Sequence, residues 1–362
     1  MYMMDLASRF TEQARAQTWK MRDFMMLMAD PPVVMPGQTP SRIIYRRHRT
    51  ALRHYEPAGP QVFRTPVLIV YAMVNRPYIM DLLPGRSIIE LLVKHGFDVF
   101  LLDWGTPRKC DSDKGIESYL EDYLDVMADK TLSITGTESL TIMGYCMGGT
   151  LSLIYTALHR EKVKNLVLMA APFDSSSDEA LLFQWSREVP VHEISEIFGN
   201  CPGWLIGSSF LWINPLQAGD KMKSLYQNAS NKAFTDLFFA MEKWLNDTVD
   251  VPGRAYTELI TWCYKENLLA SNSLFLGGRH ADLKSITCPC LNIMAELDTS
   301  VPPSSSAGIG PALGSTDTAM LSCPVGHIGL AVSGKALKSL WPGAMRWMEE
   351  RSGPLTARNH SA

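Results

Sequence analysis

The sequence predicts an α/β protein built on a mostly parallel, doubly wound sheet with a helical cap inserted into it. Three observations carry this. From Pro66 onward, short apolar runs alternate with helical segments at a steady rhythm, as parallel strands with crossover helices require. One such run, Leu140 to Met143, passes through Gly144-Tyr145-Cys146-Met147-Gly148-Gly149 into a helical pattern over Thr150 to Leu158. Strand signals then fade between about Asp178 and Asp282 and resume near Cys290. The expected division is a sheet core over 1–177, a helical cap over 178–282 and the rest of the core over 283–362, in a chain of 362 residues that is 46% hydrophobic and long enough to bury a large interior.

In chain order, residues 1–29 read as a helix with Leu6, Phe10, Ala14, Phe24, Leu27 and Met28 near one face, ended by Pro31-Pro32. The expectation is that this face packs on the core. The alternative is a docking face for a partner subunit or a lipidic surface, to which Met25 to Met28 would lend adaptable apolar area. Ser41 to Tyr55 reads as two antiparallel strands, and its arginines (42, 46, 47, 49, 53) suit an edge protected by charge better than a phosphate site. Val67 to Tyr71 is a continuous apolar run, expected as a strand buried on both faces, followed by a loop over Ala72 to Pro77. Helices are expected over Pro84 to Lys94, closed by Gly96, and over Ile116 to Lys130, with strands at Phe97 to Leu102 and Asn165 to Ala170. The cap region is rich in large aromatics, among them Phe183, Trp185, Trp204, Trp212, Phe238 and Trp244; most should form its own core and a few should line a cavity above Cys146. Strands are expected again at Cys290 to Met294 and Thr318 to Ser322, and a closing helix over Gly334 to Arg351.

Bulk properties exclude several classes. A net charge of -3 argues against nucleic acid as a partner. The seven cysteines are an odd number without a CxxC pair, and Cys288-Pro289-Cys290 has neither zinc-knuckle nor redox spacing, so no metal site and a reduced, cytoplasmic setting are expected. No apolar stretch reaches membrane-spanning length, and Asp5, Arg9, Glu12 and Arg15 interrupt any signal-peptide core.

The chemistry is concentrated at three strand ends. A strand that turns into a helix around G-x-C-x-G is a nucleophile elbow with cysteine in the serine position. Gly144 and Gly148 lack side chains so that strand and helix can approach, and Cys146 sits at the helix N-terminus, where amides and dipole favour a thiolate and then an oxyanion. Asp298 follows the first resumed strand and His327 the second. Nucleophile, acid, histidine is the chain order of the α/β-hydrolase fold, and the sheet's carboxyl edge is where such sheets bind ligands. Cys146, Asp298 and His327 are therefore the expected triad: His327 takes the thiol proton or pairs with the thiolate, and Asp298 orients it. Glu296 is the weaker candidate for the acid, and His95, His159 and His280 lack comparable placement. The oxyanion hole is expected from the Met147 amide and one amide of Met73 to Asn75, taken as Val74.

Cysteine itself is informative. Exchange between two thioesters is nearly balanced, so an acyl-cysteine keeps the acyl-transfer potential that an acyl-serine would lose. This points to a thioester donor and acyl transfer, with hydrolysis as the rival, and a water-excluding apolar cap would favour an alcohol acceptor.

Several stretches together resemble the polyhydroxyalkanoate synthases, particularly the short two-subunit class III, with class IV close by. They are the box GYCMGG, VNRPYIMD (Val74 to Asp81), LLDWG (Leu101 to Gly105), MEKWLNDTVDVPG (Met241 to Gly253), ENLL (Glu266 to Leu269) and GHIGLAVSGKA (Gly326 to Ala336). The resemblance implies an α/β-hydrolase core with a cap, polymerising 3-hydroxyacyl-CoA (3-hydroxybutyryl-CoA foremost) through Cys146, Asp298 and His327 and releasing CoA. It also implies no cofactor beyond that CoA thioester substrate, a second helical subunit, a homodimer, and residence on cytoplasmic polyester granules. The sequence departs from the family at Thr299, where a His often follows the catalytic Asp, and at Tyr145 and Met147 within the box. A cysteine-dependent thioesterase or lactone hydrolase, and a catalytically silent granule scaffold, are the rival expectations.

Overall fold

The computed structural model describes residues 2–213 and 217–355, of which residues 2–11, 13, 14, 213, 217 and 218 are described by their backbone alone. Its centre is an eight-stranded sheet. In chain order the strands are β1 (Ser41–Arg47), β2 (Thr50–Tyr55), β3 (Val67–Val70), β4 (Val99–Asp103), β5 (Leu140–Tyr145), β6 (Val163–Met169), β7 (Cys290–Ala295) and β8 (Thr318–Cys323). Across the sheet they run β1-β2-β4-β3-β5-β6-β7-β8. β1, β2 and β4 are antiparallel neighbours, and from β4 to β8 every pairing is parallel. Strand order reverses around β3, which connects to β4 on one side while β5 lies on the other. Such a switch point opens a crevice at the carboxyl ends of β3 and β5.

The apolar runs behave as continuous hydrophobic strands should: all of β3, β5 and β7 is buried. β1 lies at one edge with its arginines toward solvent, and β8 at the other edge alternates exposed and covered residues. Among crossover helices, α1 (Tyr2–Ala29) precedes the sheet and α2 (Ile88–Lys94) starts later than Pro84 because the Ser87 hydroxyl accepts from the Glu90 amide and caps it. The helix expected from Ile116 continues to Thr135 but passes through a π-helical stretch, Tyr119–Asp125, before α3 (Val126–Thr135) ends at Gly136 in the left-handed region. α4 (Met147–Leu158) follows the elbow.

The region expected to be a cap holds α5 (Leu181–Glu188), α6 (Val191–Phe198), α7 (Gly203–Ile213), α8 (Gln217–Gln227), α9 (Lys232–Asn246) and α10 (Gly253–Leu259). It also holds two short ladders that hydrophobic periodicity misses: Asn200–Cys201 against Val251–Pro252, and Phe275–Leu276 against Arg279–His280. The second is a tight hairpin closed by Gly277-Gly278, both at positive φ. The closing helix is broken into α11 (Gly334–Ser339) and α12 (Trp341–Ser352), because Pro342 can enter a helix only in its first turn.

α1 corrects an expectation. Its described side chains lean on α8, not on the core: Phe24 meets Tyr226 edge-on at 5.7 Å and Tyr226 donates to Gln17 at 3.1 Å. Trp19, Met21, Met25, Met26 and Met28 stay exposed; the side chains of Leu6, Phe10 and Ala14 lie outside the described residues. An amphipathic pattern shows that a face exists and not what covers it.

Candidate active site

β5 hands the chain to α4 through Cys146, whose φ of 55° and ψ of -129° place a non-glycine residue in strained backbone. The strain is held from every side. The Cys146 amide donates to Met169 O on β6 at 2.9 Å, and the Gly149 amide donates to Cys146 O at 2.8 Å. A Cβ on Gly144 would lie 2.5 Å from Gly149 Cα and 2.6 Å from Ser152 Oγ, and one on Gly148 would press into the Val70 carbonyl and stand 2.8 Å from Tyr71 O. Gly149, not singled out from the sequence, is equally tight: its Cβ would be 2.5 Å from Ala171 Cβ. The outcome is a half-buried thiol at the mouth of the crevice, beside the first amides of α4, which have no acceptor within the helix.

The structure brings Asp298 and His327 to this thiol. Asp298 is buried just past β7, where its Oδ1 accepts the amides of Ser300 and Val301 at 2.9 Å each and Oδ2 meets His327 Nδ1 at 2.6 Å. With Nδ1 so occupied, Nε2 is the ring nitrogen left to serve Cys146, whose sulphur is near enough to act on the imidazole. Burial alone would push the imidazole's pKa down. The Asp298 carboxylate, then the Cys146 sulphur, and hydrogen bonds to both outweigh it, and the pKa stands well above the ordinary histidine value. His327 is thereby biased toward imidazolium, the form that stabilises a thiolate.

Tyr145 supports this arrangement in a way its position in the box does not announce. Its ring stacks on the His327 imidazole at 5.2 Å and 21°, and its hydroxyl donates to the His327 carbonyl at 3.0 Å. Burial, then Tyr71 and Cys146 nearby, hold the Tyr145 phenol well above its usual range, so it remains a neutral donor. Tyr71 and, from the helical region, Tyr264 also feel Cys146: burial first and the sulphur second raise both phenols.

The loop after β3 carries Val74, which is buried. Its root is fixed by the core, with Trp104 Nε1 donating to Tyr71 O at 2.8 Å. The other candidates lie elsewhere. Glu296 is exposed and accepts from Ser322 Oγ at 2.7 Å, and Thr299 is exposed. His95 pairs with Glu349 at 3.0 Å, and His280 bonds the Asn272 carbonyl at 2.7 Å. His159 joins Glu121 and Asp125 in a cluster close enough for a cation, but Lys162 and Arg279 already neutralise those carboxylates. All seven cysteines are free thiols, with Cys290 buried in β7.

The sheet order, the elbow and the order of Cys146, Asp298 and His327 define an α/β-hydrolase-fold protein. The alpha/beta hydrolase fold family model matches residues 65–311. A solved soluble variant of monoglyceride lipase from Saccharomyces cerevisiae, 12% identical, superposes with a TM-score of 0.54 over 89% of this chain and 99% of its own, which is likeness of fold. A second family model, for the poly-beta-hydroxybutyrate polymerase (PhaC) N-terminus, matches residues 34–92. The poly(3-hydroxyalkanoate) polymerase subunit PhaC of Allochromatium vinosum is 35% identical over 355 residues, 97% of this chain and 100% of that protein. Its namesake in Haloferax mediterranei is 38% identical over 322 residues, 88% of this chain and 65% of that longer protein. The chain belongs to the family of poly(3-hydroxyalkanoate) polymerase PhaC subunits, enzymes of acyl transfer.

Proposed function

We propose that this chain is the catalytic subunit of a polymerase that joins 3-hydroxyacyl units, supplied as CoA thioesters, into polyester. The observation that carries the reading is the relay from buried Asp298 through half-buried His327 to a half-buried cysteine held on an elbow. In the first step the Cys146 proton moves to His327 and the thiolate adds to the thioester carbonyl carbon. The oxyanion so formed is met by the amides of Met147 and Val74. The carbon–sulphur bond to CoA breaks, and CoA leaves as thiol with the proton from His327. In the second step His327 takes the proton of a hydroxyl on an acyl unit or growing chain as that oxygen attacks the next thioester; an oxygen ester forms and a thiol is released. Asp298 keeps the Nδ1 side of the ring occupied throughout.

The "subunit" in the relatives' names supports a second polypeptide as partner, and the exposed Trp19, Met21, Met25 and Met26 of α1 offer apolar surface for it or for a polyester granule. Among the described residues no helix is long and apolar enough to cross a membrane. Residence at the surface of cytoplasmic polyester granules is part of the proposal and rests on the likeness to the PhaC subunits. Homodimerisation and preference for 3-hydroxybutyryl-CoA belong to the same proposal. The test is incubation with 3-hydroxybutyryl-CoA while thiol release and turbidity are followed. Cys146→Ala is expected to abolish thiol release, and undiminished release would overturn the assignment. Free hydroxy acid with no insoluble polymer would make the protein a thioesterase instead.

A further inference from the structure

The loop over Val74 to Tyr78 is gripped from outside the sheet by one short stretch, Trp244 to Val249, at the end of α9. The Val249 amide donates to Val74 O at 3.1 Å, and Asn75 pairs with Thr248 as an antiparallel bridge. Trp244 is 5% exposed and its Nε1 donates to Arg76 O at 2.8 Å. Tyr78 OH donates to Asp247 Oδ2 at 3.1 Å, and Arg76 Nε lies 3.6 Å from Asp247 Oδ1. The Arg76–Asp247 pair is partly in water and contributes little by itself. The Trp244 and Val249 bonds are different, because they satisfy the carbonyls of the Val74–Asn75 and Arg76–Pro77 peptides on either side of buried Asn75, and so fix the chain immediately after the Met73–Val74 peptide that carries the Val74 amide.

We propose that Trp244, with Tyr78 and Asp247 behind it, is a positioning residue that aims the Val74 amide at the oxyanion. It follows that the oxyanion hole is complete only while Trp244 to Val249 stays docked. Lifting that stretch to admit a bulky thioester would disarm the site, and closing it would rearm the site with water excluded. The inference rests on the polymerase reading, since it assumes a tetrahedral oxyanion formed at Cys146.

Trp244→Phe keeps an aromatic ring, though a smaller one, and removes the donor; Tyr78→Phe removes only the hydroxyl contact to Asp247. Single-turnover acylation by 3-hydroxybutyryl-CoA is compared with alkylation of Cys146 by iodoacetamide, which needs the thiolate and no oxyanion hole. Trp244→Phe is expected to lower the maximal acylation rate about tenfold or more, with half-saturation and alkylation unchanged, and Tyr78→Phe to lower it by a smaller factor. Wild-type acylation in both variants overturns the inference. So does an equal loss of acylation and alkylation, which would place the effect on the thiol. If the wild-type protein forms no acyl-enzyme, the functional reading fails and the inference falls with it, a result distinct from active wild type with indifferent variants.

Discussion

Gly149→Ala is the sharpest test of the elbow. The added Cβ would stand 2.5 Å from Ala171 Cβ, against at least 3.4 Å for ordinary van der Waals contact. The first turn of α4 and the segment after β6 must therefore part by about 0.9 Å, the difference between those distances. Neither can yield by rotating a side chain, since both atoms are fixed to backbone. Overpacking of this kind costs about 1–3 kcal/mol, and the moving turn carries Cys146 and the Met147 amide with it. A displacement near 1 Å at reacting groups can cost about 100-fold in rate. The expected result is a lowered melting temperature and an acylation rate from 3-hydroxybutyryl-CoA reduced about 10- to 100-fold. The structure supplies its own rescue. In Gly149→Ala/Ala171→Gly the opposing methyl is gone, and the next atoms are Ala171 Cα at 3.3 Å and Gly144 O at 3.4 Å, close to ordinary contact. Rate and stability should largely return, less the ~0.5–1 kcal/mol that a new glycine costs in backbone entropy. A single variant with wild-type kinetics, or a double variant no better than the single, would refute the argument.

Two further outcomes are expected at the relay. Asp298→Asn removes the largest influence that raises the His327 pKa and leaves burial, which lowers it, so the imidazole should titrate at lower pH, as followed by its ring proton resonances. Because the wild-type value is raised above the unfolded ~6.5, the stability gained from protonated His327 is present in full below that pH and lost as pH rises through the folded value. The melting-temperature gap between wild type and Asp298→Asn should be widest near pH 6 and narrow toward alkaline pH; a gap that widens would contradict the assignment. Tyr145→Phe keeps the ring against His327 but removes the 3.0 Å bond to its carbonyl, so stability should fall by about 1 kcal/mol and acylation by a few-fold. Tyr145→Leu, losing the stack as well, should be worse on both measures, and equal behaviour of the two would show that the hydroxyl alone matters.

What could be read from the sequence follows from where each signal is written. The apolar runs of β3, β5 and β7 are local, and they stand where periodicity puts them. Cys146, Asp298 and His327 each follow a strand, and a parallel sheet brings its strand ends to one edge, so topology converts chain order into proximity before any coordinate is known. Supporting contacts have no such conversion. Tyr145 and His327 are 182 residues apart, and Trp244 and Arg76 are 168 apart; no spacing rule says that a hydroxyl in the box will cap the histidine's carbonyl or that an indole will hold the loop. Gly149 carries no signal of its own in the sequence, because its need arises from Ala171, on a different strand's exit. α1 meets the same limit: its methionines advertise an apolar face, and only tertiary closure reveals that α8 covers one part and leaves Met25 and Met26 bare. The candidate triad is thus announced by residue type and order, while the side chains that surround it are chosen by packing. Variants at Tyr145, Gly149 and Trp244 therefore separate possession of a triad from possession of a working one.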